Sequence, residues 1–234
     1  MRVLRTAGLV AAAAGLTVAA VYPLLLRHWC LTWGATADEE TRPIPGDALL
    51  PDPDICSTRA VTIAAPPAAV WPWLVQMGSG RGGAYTYDWI ENLLGLDMHS
   101  ADEILPEFQS LHAGDVLPLG ERGPKMRAEI VDPEHTLAFR SEDGNWVWAF
   151  GLYPVAGATR LVSRNRIATP DATALHRLAD LLVMEPGSLV MERRMLLGIK
   201  ERAERLARQP AGRSSRASCC QAAQPYRLIS AAEA

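Results

Sequence analysis

Tyr85, Tyr87 and Asp88, with Asn92 and His99 just beyond them, are the side chains best suited to chemistry in this sequence. A tyrosine beside a carboxylate can orient a carbonyl and move a proton, as cyclisation and dehydration require. The same groups serve equally in packing and in bonding backbone N–H groups, and the sequence leaves both roles open. His99, Asp102, Glu107 and His112 add metal-ligating types nearby. Their spacing fits neither one helix face nor a zinc pattern, so no metal site is expected. No G-x-S-x-G elbow surrounds a serine, and no cysteine has a context that would activate it.

The segment just before these residues reads GSGRGG, and its glycines at 78, 80 and 83 satisfy G-x-G-x-x-G letter for letter. A dinucleotide loop needs a buried strand before its first glycine, a helix opened by its last, and a second parallel strand. Here the preceding APPAAVWPWLVQM contains Pro72 and reads as a short helix starting near Val70. Antiparallel hairpins follow. The glycines are therefore expected to form a reversal between two short helices, with no nucleotide cofactor. Arg81, at the bend, either meets an anion or faces water.

The elements that position these residues follow from periodicity. TRAVTIA sets Val61 and Ile63 against Arg59 and Thr62, a half-buried strand. YTYDWIENLLG reads as a helix capped by Thr86, with Trp89, Leu93 and Leu94 buried and Gly95 as its stop. Asp115–Leu119, MRAEIV, TLAFRS, NWVWAFGLY and TRLVSRNRI form an antiparallel meander, with a hairpin signal at Asp143-Gly144. In the fourth of these, Trp146, Trp148, Phe150 and Leu152 share one face, while Val147, Ala149 and Gly151 share a nearly bare one. In the fifth, Arg160, Arg164 and Arg166 oppose Ser163 and Asn165, and either face could be inward. SLVMERRMLLGIKERAERLA is an amphipathic helix burying Met191, Met195, Ile199, Ala203 and Leu206, with Glu192 and Arg193 on its polar side. The order is α+β: a curved antiparallel sheet around a long C-terminal helix, an arrangement that can leave an apolar pocket.

At 234 residues the chain suits one domain with appendages, and a net charge of −3 argues against a nucleic-acid surface. Ala7–Leu26 carries no charge and, as a helix, would rise roughly 30 Å, the hydrocarbon thickness of a bilayer. Residues 1–27 are expected to anchor the chain as a single-pass span. A signal segment cut near Ala35-Thr36-Ala37 is the alternative. Arg2 and Arg5 before the run, against Arg27 after it, direct the globular part out of the cytoplasm. Residues 28–57 read as an extended linker, 58–207 as the domain, and 208–234 as a disordered tail. Cys30 and Cys56 could pair only in an oxidising compartment.

On WGAT (33–36), RPIPGD (42–47), the whole of 58–95, HSADEILPEFQSLHAGD (99–115) and MERRMLLGIKERAE (191–204), the chain resembles the START-like, Bet v 1-type superfamily, also called SRPBCC. Within it the chain is most similar to a membrane-anchored actinobacterial branch labelled polyketide cyclase/dehydrase-like. The resemblance implies the helix-grip fold, and either a binder of a hydrophobic small molecule or lipid, or a cyclase/dehydrase-like enzyme. A domain whose interior is simply filled is the third reading. In such a fold the candidates for ligand contact are Trp73, Arg81, Tyr85, Asp88, Trp89, Trp146, Trp148 and Asn165, with core packing the alternative for the tryptophans, and Tyr85, Tyr87, Asp88 and His99 are the acid–base candidates. The resemblance implies no cofactor.

Overall fold

The computed structural model describes residues 22–93, 95–120 and 123–209. The expected span at 7–26 and the expected tail therefore lie almost wholly outside the described residues. Among the described residues, no helix is long and apolar enough to cross a membrane.

Strands β1 (Ile55–Ile63), β2 (Val116–Pro118), β3 (Lys125–Asp132), β4 (Thr136–Ser141), β5 (Trp146–Val155) and β6 (Ala158–Ile167) form one antiparallel sheet in the order β1-β6-β5-β4-β3-β2. Hairpin turns join the last four strands. The Asp143-Gly144 turn places Gly144 at φ +76°, and its N–H donates to Ser141 at 2.9 Å. A register shift between Ala128 and Ile130 interrupts β3, the kind of irregularity that bends a sheet.

Helices α1 (Arg27–Leu31) and α2 (Ala37–Thr41) precede the sheet, and α3 (Pro67–Val75) and α4 (Asp88–Leu93) lie between β1 and β2. At the end of the chain α5 (Ala174–Ala179), a π turn (Asp180–Met184) and α6 (Glu185–Arg208) follow without a break. α6 lays Leu189, Met195, Leu196, Ile199 and Ala203 into the interior. Glu192 is also buried, which corrects its assignment to the polar side.

Three further sequence expectations are corrected. α3 begins at Pro67, not near Val70, and carries Pro72 inside it. An interior proline costs roughly 3 kcal/mol. Burying Val70, Trp73 and Leu74, each worth about 1.5–3 kcal/mol, outweighs it. In α4 the stripe is reversed: Trp89 is 70% exposed and Leu93 79%, while Glu91 is buried. This helix is rotated by Asn92, whose Nδ2 donates to the Met98 carbonyl at 2.9 Å and whose Oδ1 accepts from Met98 N–H at 2.6 Å. Thr86 does not cap it.

The third correction concerns residues 28–57, expected as an extended linker. They hold α1, which packs against α6, then α2 and a 3-10 turn (Asp47–Leu49), which form a strap over the outer face of β4, β5 and β6, and the start of β1. The nearly bare face of β5 is what admits it. A Cβ on Gly46, at φ +105°, would meet Ala149 Cβ at 3.1 Å and Ala138 Cβ at 3.3 Å, and Ile44 packs against the same two alanines. The arginine face of β6 pins the strap. Buried Arg164 donates to Thr58 Oγ1 at 2.9 Å, Asp47 Oδ2 at 2.7 Å and the Glu39 carbonyl at 2.6 Å. Arg160 grips Glu39 at 2.7 and 2.8 Å. Burial pushes the Glu39 carboxyl up, but bonds from Arg160 and Thr36 outweigh it and hold the group below its ordinary range. With the arginines outward, Ser163 and Asn165 must face inward.

Candidate ligand-binding cavity

The space between sheet and α6 is filled unevenly. At one end Ile63, Trp73, Leu74, Phe150, Leu196 and Ile199 close it completely. At the other a cavity of about 480 Å³ remains. Ile55 and Ser57 of β1, Trp146 and Trp148 of β5, and Ile167 of β6 form its sheet wall. Met191 and Met195 of α6 face them, with Met184 in the preceding turn. Leu31 of α1 and Ala84 contribute from the sides. Ser57 and Ala84 are too short to reach across, which is why this end stays hollow. Met184 is 63% exposed and His176 is exposed, so the cavity opens to solvent beside α5. Its volume lies within the ~300–1,000 Å³ typical of small-molecule sites.

The polar groups on the deep side bind one another. Arg59, fully buried, pairs with Glu192 and donates to Ser188 Oγ at 3.0 Å and the Cys30 carbonyl at 3.0 Å. Glu192 Oε1 accepts from Ser163 Oγ at 2.5 Å and Asn165 Nδ2 at 3.1 Å. Those two side chains accept in turn from the indole N–H groups: Trp148 to Ser163 at 3.1 Å, Trp146 to Asn165 at 2.8 Å. One chain of bonds thus joins β1, α6 and β6 and fixes both indoles, stacked at 5.9 Å and 19°. Arg59 belongs inside because strand alternation gives it the parity of Val61 and Ile63. Setting it against them was a parity error.

Three residues of the lining each carry a buried polar atom with no hydrogen-bond partner among the described residues: Thr86 Oγ1, Glu91 Oε2 and Asp180 Oδ2. Tyr85 places the first. Its backbone adopts φ +58°, a left-handed conformation costing about 1–2 kcal/mol. The strain is held by its hydroxyl donating to the Trp73 carbonyl at 3.0 Å, its N–H bonding Ser100 Oγ at 3.0 Å, and Arg202 lying 4.8 Å over its ring. With Tyr85 turned into the core, Ala84 and Thr86 face the cavity.

Burial pushes the Glu91 carboxyl above its ordinary value of 4.5, and the Asp88 charge adds to this, while the nearby Thr86 hydroxyl works against it. The fold therefore favours protonated Glu91. That stabilisation is complete below the ordinary value and is lost as pH rises through the raised one. Glu91→Gln keeps the shape without the charge. We expect it to raise Tm by about 2–4 °C at pH 8, what roughly 1 kcal/mol moves in a chain of this size. In thermal unfolding scans the two curves should converge at acid pH.

Of the residues singled out from sequence, Trp146, Trp148 and Asn165 line the cavity. The others do not, and each has another role. Trp73 is core, edge-on to Tyr85 at 5.9 Å. Arg81 staples the glycine turn, donating to the carbonyls of Val75 and Phe108 at 2.9 and 3.2 Å over the Phe108 ring. That turn is the expected reversal, closed by mutual backbone bonds between Gly78 and Gly83. The Tyr85 hydroxyl is driven far up by burial and is bound to backbone. Asp88 accepts from Ser100 N–H at 2.8 Å and Ser100 Oγ at 2.5 Å, which fixes the loop. Tyr87 is half-buried off the cavity, Trp89 faces solvent, and His99 is exposed beside Asp97 at 3.2 Å. Sequence reading missed Arg59, Glu91 and Glu192; only the parity of Arg59 was there to be read.

No family model and no curated protein matches the chain. Solved structures do. The KanY protein (ms6282) is 16% identical, covering 64% of this chain and 97% of its own, with a TM-score of 0.45. The Zhui aromatase/cyclase from Streptomyces sp. R1128 is 18% identical, covering 68% and 98%, with a TM-score of 0.43. The Polyketide_cyc-like protein Cgl2372 from Corynebacterium glutamicum is 17% identical, covering 65% and 89%, with a TM-score of 0.33. Likenesses at this level carry no argument, and what the site does has to come from its own residues. The six-stranded antiparallel sheet holding a long C-terminal helix is itself the helix-grip arrangement of the Bet v 1-type superfamily that the sequence resembles.

Proposed function

We propose that this chain binds a lipophilic small molecule or lipid between its sheet and α6. The observation that carries this is the hollow itself: walls of indole, methionine and isoleucine, with the deep polar groups already bonded to each other. A ligand burying about 300 Å² of apolar surface there would gain roughly 7 kcal/mol before the cost of association. A cyclase- or dehydrase-like activity would need a proton donor or acceptor on the cavity wall. Tyr85, Tyr87, Asp88 and His99 do not line it, and Glu91 is the group such a reading would turn on.

Membrane attachment is part of the proposal. The uncharged run 7–26 leads into α1, which packs against α6 and contributes Leu31 to the cavity. Exposed apolar side chains recur in two segments, the one that runs through α1 and the one that leads into α6: Leu25, Leu26 and Trp29 in the first, Leu175, Val183 and Met184 in the second. Such a surface suits contact with lipid.

Titrating the full chain with Nile red, a neutral dye, tests the binding. The expected result is one saturable site with blue-shifted dye emission and a micromolar Kd. Linear, unsaturable emission would overturn the proposal.

A further inference from the structure

The charges on the cavity do not balance. Arg59 is committed to Glu192. Glu185, also on the lining, is committed to Arg27 at 2.8 Å, with Tyr22 donating to it at 3.1 Å. That leaves Glu91 and Asp180. Glu91 lines the cavity and is 6% exposed, and its Oε2 is buried with no hydrogen-bond partner among the described residues. Asp180 Oδ2 is likewise without a hydrogen-bond partner among the described residues, with Nε2 of the exposed His176 3.7 Å away. No lysine lines the cavity.

An unpaired carboxylate in an apolar hollow is satisfied by a proton or by a cation. The stacked rings of Trp146 and Trp148 supply a second attraction for positive charge, since the face of an indole is its negative pole. A carboxylate-bearing ligand such as a fatty acid would meet Glu91 and Asp180, with the only lining arginine among the described residues, Arg59, already bonded.

We propose, resting on the cavity-binding reading above, that the ligand is a lipophilic amine. Its apolar body occupies the tryptophan–methionine hollow. Its ammonium pairs with Glu91, with Thr86 Oγ1 beside that carboxylate and Asp180 adding negative potential.

Dodecylamine, dodecanol and dodecanoate share one chain length and differ only in head group, so displacement of Nile red from the full chain by each separates charge from lipophilicity. Dodecylamine should displace the dye at least tenfold more tightly than dodecanol, with dodecanoate weakest. Glu91→Gln should bring dodecylamine within about threefold of dodecanol. Asp180→Asn should lower the preference part of the way. Equal displacement by all three, or dodecanoate ranking first, overturns the amine assignment and leaves cavity binding standing. An unchanged amine preference in Glu91→Gln overturns it too. If neither dye nor competitor binds, both readings fail. Should Glu91→Gln not fold, the ranking in the native chain and in Asp180→Asn still decides.

Discussion

Arg59→Ala should destabilise the protein by about 3–5 kcal/mol, a large part of a domain's whole stability. Both partners of this pair are buried, so solvent screens it little. Removing the guanidinium strands Glu192 in the interior with only Ser163 and Asn165 donating to it. It also removes the bonds from β1 to Ser188 of α6 and to the Cys30 carbonyl of α1. Exchanging both partners for apolar residues, Arg59→Met with Glu192→Leu, should recover most of the loss, since a buried pair is costly mainly when halved. Urea unfolding of the native chain and these two variants measures this. A loss below about 1 kcal/mol for Arg59→Ala would mean that the pair does not join helix to sheet. Glu192→Leu alone should also redden the tryptophan emission, because Trp146 and Trp148 are held through Asn165 and Ser163.

Filling the hollow should abolish binding without harming the fold. Met191→Trp adds bulk from α6, and Ala84→Leu adds it from the loop across the cavity. Each should weaken Nile red at least tenfold, about 1.4 kcal/mol, with Tm unchanged or raised, since filling space near a core adds contacts. The combination separates occupancy from damage. Lost binding with lost Tm would show only a broken fold, whereas full binding in both variants would place the dye elsewhere.

Much of the architecture was legible because periodicity reports faces. The alternation of NWVWAFGLY put Trp146 and Trp148 on one side of β5, and the long heptad-like pattern marked α6. Periodicity does not report what a face meets. The bare side of β5 looked empty until residues 28–57 were seen to cover it, with Gly46 against Ala138 and Ala149. For the same reason the sequence left open which face of β6 is inward, and it is the strap that takes up its arginines. The site was harder to read. Glu91 sits in a six-residue helix whose rotation is set by Asn92 bonding Met98, a contact that overrides the apolar stripe and sends Trp89 and Leu93 outward. Tyr85 and Asp88 carry the right groups for chemistry but are spent on holding the loop that aims Thr86. Glu192 on the polar side of its helix gave no sign of Arg59, because its partner lies on a strand far back in the chain.

The central claim is that the space between the sheet and the first half of α6 holds the ligand. Methionine-methyl NMR on the full chain tests it most directly, because Met184, Met191 and Met195 line the cavity while Met77, Met98 and Met126 do not. On adding Nile red, the first three methyl signals should shift together and saturate at one equivalent, with the other three nearly still. Shifts confined to Met77, Met98 and Met126, or no shift at any of the six while the dye binds, would contradict the account.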